Sequence, residues 1–105
     1  MSVKMSESKK ERGLKRLVLD VLKPHRPLLP ELSVELSRLS GVAGVNISLI
    51  EVDKNTESVK ITIEGNSLDY ELIAKSLEAS GAVIHSIDQV VAGKVIIEEV
   101  VTHES

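Results

Sequence analysis

Cysteine is missing from all 105 residues, which excludes disulfides, thiolate nucleophiles and zinc–thiolate sites. The same absence suits a cytoplasmic protein. Phenylalanine and tryptophan are missing too, and Tyr70 is the one aromatic residue. A core must therefore come from Leu, Ile, Val and Ala, within a chain that is 42% hydrophobic. No run approaches the ~18 consecutive apolar residues of a membrane-spanning helix. The opening MSVKMSESKKERG has no apolar centre of the signal-peptide kind. These absences lead us to expect one soluble intracellular domain, without a membrane role.

The net charge of −3 conceals an asymmetry. Residues 1–16 carry six basic and two acidic side chains, leaving seven basic and fourteen acidic in the rest. Residues 1–12 read as a disordered basic lead-in, 13–101 as one domain, and 102–105, with His103, as a disordered tail. A nucleic-acid-binding arm is the sharper reading of the lead-in. The acidic body, which repels phosphate, argues against it.

Within the domain, GLKRLVLDVL predicts a strand over about 14–22. KPHRP stops it, and Pro27 or Pro30 suits the first turn of a helix. Leu29, Leu32, Leu36 and Leu39 then recur at helical spacing, with Gly41 placed as a left-handed stop. A second strand is expected over about Val45–Asp53, a turn at KNTES, and a third strand in SVKITIEG, where apolar and polar residues alternate. Ser67 is the expected cap of a second helix with Leu68, Leu72, Ile73 and Leu77 as its stripe and Gly81 as its stop. AVIHSIDQVV reads as a fourth strand, and KVIIEEVV as a possible extra C-terminal one.

Two right-handed βαβ halves interleave the strands in the order 4-1-3-2, with both helices on one face. This is the ferredoxin-like βαββαβ pattern, an α+β fold with a four-stranded antiparallel sheet. A doubly wound α/β sheet is the alternative, but the tight KNTES hairpin argues against all-parallel strands. If Leu17, Leu19, Val21, Val59, Ile61 and Ile63 face the helices, period two sets Val18, Asp20, Leu22, Asn46, Ser48, Ile50, Lys60, Thr62, Glu64, Ile84, Ser86, Asp88 and Val90 on the open face. Aliphatic side chains left bare there, together with a spare strand edge, predict homo-oligomerisation.

The same fold hosts many activities, so chemistry must be argued from residues. Base stacking on central-strand aromatics is ruled out by their absence. Neither a Cys-x-x-Cys pair nor a Gly-rich phosphate loop nor a nucleophile elbow occurs. Two constellations remain. Asp20, Asp88 and Glu64 are oxygen donors suited to calcium or magnesium; salt bridges to Arg16 or Lys60 are the plainer reading. Lys23, His25, Asp53 and His85 gather where strand one ends, and could bind a small anion or metabolite, or a transition metal through imidazole. The leading reading is a non-catalytic, homo-oligomeric module for a small ligand or divalent cation. An amino-acid- or metabolite-sensing regulatory domain and a histidine-based small enzyme are the alternatives.

The strings LVLDVLKPH, GVNISLIEVD, VKITIEG and IHSIDQVVAGKV, in this order and spacing, resemble an archaeal family, domain of unknown function 211, over residues 13–100. The resemblance implies a ferredoxin-like fold, an archaeal cytoplasmic source, a ring-like homo-oligomer and divalent cations. It supplies no catalytic residues. The stretch RPLLPELSVEL, with its second proline, departs from the family pattern.

Overall fold

Alternating side chains, and the prolines and glycines between them, divide the chain into four strands and two helices in the computed structural model, which describes residues 13–101. The lead-in expected at 1–12 and the tail expected at 102–105, with His103, lie outside the described residues. The strands are β1 (Leu14–Pro24), β2 (Val42–Val52), β3 (Thr56–Leu68) and β4 (Val83–Ala92); the helices are α1 (Leu29–Ser37) and α2 (Tyr70–Ala79). One antiparallel sheet results, in the order β2-β3-β1-β4. Read from the other edge, that is the expected 4-1-3-2, and the fold is ferredoxin-like.

The core lies between one sheet face and the helices. Leu17, Leu19 and Val21 of β1 and Val59, Ile61 and Ile63 of β3 are buried in one cluster with Leu32 and Leu36 of α1 and Ile73 and Leu77 of α2. Each such side chain contributes about 1.5–3 kcal/mol on removal from water, so branched aliphatics alone can hold the fold.

Both helices are set by local signals. Pro30 occupies the first turn of α1, whose N-cap residue, Leu28, offers no side-chain acceptor. The cap of α2 is Asp69, not Ser67: its carboxylate accepts from the Leu72 amide at 3.2 Å. β3 runs on to Leu68, and Ser67 lies within it at a φ of 58°. Gly81 ends α2 at a φ of 81°, its amide bonding to the Glu78 carbonyl while Ala82 bonds to that of Leu77. A different constraint holds Gly65, opposite Val42. A Cβ there would lie 1.9 Å from the Gly41 carbonyl oxygen, which accepts from the Asn66 amide.

Two expectations are corrected. KVIIEEVV forms no fifth strand: after Gly93, at a φ of 109°, the chain turns away from the sheet edge and returns to Arg16. The strict period of two in the fourth strand also fails. β4 shifts register against β1 between Val18 and Leu19 and again between Asp20 and Val21, leaving Asp88 and His85 as bulge residues. Ile84 and Val90, expected on the open face, therefore stand opposite Val21 and Leu17 on the helix side. Ile50 occupies a similar irregularity in β2.

Candidate functional site

Cross-strand register sets out the open face as rows running across the sheet. One row is Ser48, Lys60, Asp20 and Ser86; the next is Asn46, Thr62, Val18 and Gln89; a third is Gly44, Glu64, Arg16 and Val91. The middle of this face is thus polar, with Asp20, Asn46, Ser48, Lys60, Thr62 and Glu64 where alternation set them. Two shallow concavities of about 490 and 420 Å³ share Lys60, Thr62 and Glu64, and so form one trough along β3. Asn46 and Ser48 flank it on one side, Arg16, Asp88 and Gln89 on the other.

Arg16 dominates one end of the trough. Its Nε donates to Glu64 at 2.6 Å, and its two terminal nitrogens reach Glu98 at 2.7 and 3.0 Å. A fourth bond runs to Gln89 at 3.2 Å. Glu98 first and Glu64 second raise the Arg16 pKa, while the guanidinium holds Glu98 below the usual carboxylate range. Glu98 thereby carries the terminal segment back to the open side. There Val18 and Val91, outside the helix-side core, are only 7% exposed.

The expected metal trio is only partly assembled. Glu64 and Asp88 line the trough, but Glu64 is paired with Arg16 and Asp88 accepts from the Ser86 hydroxyl at 2.6 Å. Asp20 stands opposite Lys60 and Ser86, and its carboxylate has no hydrogen bond or ion pair among the described residues. Among those residues, no group of three or more histidines and carboxylates is close enough to hold a metal ion.

At the end of β1 the structure joins Lys23 and His25 through a residue the sequence reading missed, Glu57. Lys23 continues the helix-facing stripe of Leu19 and Val21, and its side chain is completely buried. Its ammonium donates to the Pro24 carbonyl at 2.7 Å and to Glu57 Oε1 at 3.1 Å. His25 Nδ1 lies 3.1 Å from Glu57 Oε2, and Nε2 2.9 Å from the Lys54 carbonyl oxygen. Both ring nitrogens are therefore engaged by protein oxygens. His25, and after it Lys23, hold the Glu57 carboxylate below its ordinary range. Asp53 joins only through its backbone amide, bonded to the Thr56 carbonyl at 2.8 Å. His85 is exposed in its bulge on β4, apart from this cluster. Turn position pointed to Asp53; only the pairing of Lys23 with Glu57 finds the partner.

Large aliphatics are exposed elsewhere, along the sheet margins and the terminal segment. Leu49, Ile50 and Val52 are open on β2, and Val83, Ile87 and Val90 on β4. Beyond β4, Val95, Ile97, Val100 and Val101 are all more than 60% exposed. No helix among the described residues is long and apolar enough to cross a membrane.

The family DUF211, described as uncharacterised ArCR, matches residues 15–105. The uncharacterised protein MJ0319 of the archaeon Methanocaldococcus jannaschii is 56% identical over 90 residues, spanning 86% of this chain and 93% of the relative.

Proposed function

From the premise that this chain belongs to the DUF211 family, we propose a cytoplasmic, homo-oligomeric module that binds a small ligand or a divalent cation and catalyses no reaction. One observation carries the reading. In a sheet covered on one face only, exposed aliphatics are concentrated on both outer strands and on the terminal segment. Soluble monomers seldom leave that much apolar surface bare, and unpaired outer strands offer a template for a neighbouring chain. Copies meeting there remove both features from water and enclose the polar trough.

The trough then becomes the ligand site. Lys60, Thr62, Ser48 and Asn46 supply donors, and Glu64 and Asp88 supply acceptors. Asp20, whose carboxylate has no partner among the described residues, and Asp88 are the carboxylates that calcium or magnesium would use. A second copy contributes the remaining oxygens, since the described residues of one chain bring too few together.

Light scattering and sedimentation of the full chain test the assembly: a particle several times the monomer mass is expected. A monomer unaffected by concentration overturns the reading. Calcium or magnesium added to chelator-treated protein should raise Tm by mass action on the folded assembly. Asp20→Asn and Asp88→Asn should each abolish that increment; an unchanged response in both removes the cation site.

A further inference from the structure

His25 presents a valence problem that only one protonation state solves. The oxygens beside its two ring nitrogens, a Glu57 carboxylate oxygen and the Lys54 carbonyl, are acceptors only. A neutral imidazole has one N–H. In either neutral tautomer the other nitrogen directs a lone pair at an oxygen about 3 Å away, which repels it. The imidazolium, with two N–H groups, satisfies both contacts at once. We propose that His25 is held as a doubly donating imidazolium that bolts the β2–β3 hairpin to the end of β1, and that the hairpin is released when the ring loses its proton.

The bolt joins three segments. His25 belongs to the turn after β1, Lys54 to the hairpin tip, and Glu57 to the start of β3. Glu57 is itself fixed from the other side by the buried ammonium of Lys23. The charged groups facing the ring are thus Glu57 from β3 and Lys23 from β1. The Lys54 carbonyl first, and Glu57 second, raise the His25 pKa above its ordinary 6.5, against opposing effects of burial and Lys23. A raised folded-state value contributes stability that is complete below the unfolded value and is lost as pH rises through the folded one. Glu57, depressed from 4.5, contributes above that value and loses its contribution as pH falls through the folded one. The bolt is therefore fully closed between about pH 4.5 and 6.5 and opens above the His25 midpoint.

This device needs one protomer only and stands whether or not copies assemble. Long-range ¹⁵N–¹H spectra of the ring in the full chain test it. Both ring nitrogens should carry protons at pH 6, with a midpoint above 6.5. Exchange of the Asp53 amide, corrected for its intrinsic pH dependence, should rise at least about threefold across the same midpoint. Glu57→Gln should lower the midpoint, and His25→Gln should remove the pH-linked step in Asp53 exchange. Should the His25 variant fail to fold, the wild-type spectra decide alone. A ring with a single N–H at pH 6, a midpoint at or below 6.5, or Asp53 exchange indifferent to the ring overturns the proposal.

Discussion

Single residues in this chain do work that their type does not advertise. Lys23 occupies a position that period two reserves for an aliphatic, and its ammonium is accommodated only because Glu57 and the Pro24 carbonyl meet it there. Gly65 matters for what it lacks: any side chain begins within 1.9 Å of the Gly41 carbonyl oxygen. Gly65→Ala must push the α1–β2 connection away from β3. We expect a loss of at least about 1–3 kcal/mol, the usual range for overpacking, read by urea denaturation. Stability within 0.5 kcal/mol of wild type, on the ordinary scale of a tolerated surface change, would contradict the close approach. Lys23 and His25 were legible as candidates because cations and imidazoles flank a strand end. Glu57 was not, because a partner across a hairpin depends on register and turn length, which composition does not disclose.

At the scale of elements, the two helices start differently, and the difference is measurable. α2 has the Asp69 side chain on a first-turn amide, whereas α1 begins at Leu28 with no side-chain acceptor. Asp69→Ala should cost about 1 kcal/mol, and Leu28→Ser should add about 0.5–1 kcal/mol, since Leu28 is half exposed and its backbone is already extended. Thermal melts of the two variants should move in opposite directions. Element order, sheet topology and the positions of both helices could be read from periodicity and glycine stops, because those signals repeat along each segment. What failed was parity in β4. A bulge at Asp88 and another at His85 each insert one residue and flip the parity, so that one phase for the whole strand places Ser86 correctly and Ile84 and Val90 on the wrong face. That is why Ile84 packs against the helix-side core, why Val90 stands opposite Leu17 on that side while staying exposed, and why Gln89 and Val91 take the open-face places expected of Asp88 and Val90.

As a whole, the protein is a plate 19 Å through its thinnest dimension, with a core on one side of the sheet and a polar trough on the other. The segment after β4 is tied to one end of that trough through the bonds between Arg16 and Glu98. Pairing of Arg16 lowers the Glu98 pKa, so this contact is complete above the ordinary 4.5 and fails as pH falls through the depressed value. Arg16→Gln should accordingly raise hydrogen exchange in residues 95–100 at neutral pH, while exchange in the β3 core strand stays slow. Unchanged exchange in 95–100 would mean that other contacts hold the segment.

The Arg16 guanidinium thus ties down a mostly branched aliphatic stretch at Glu98, a carboxylate largely open to water. In brine, where the reach of a charge contracts to about 3 Å at 1 M, so exposed a pair holds more weakly. Ionic strength would then act as a rheostat on how firmly Glu98 ties the last apolar stretch to Arg16.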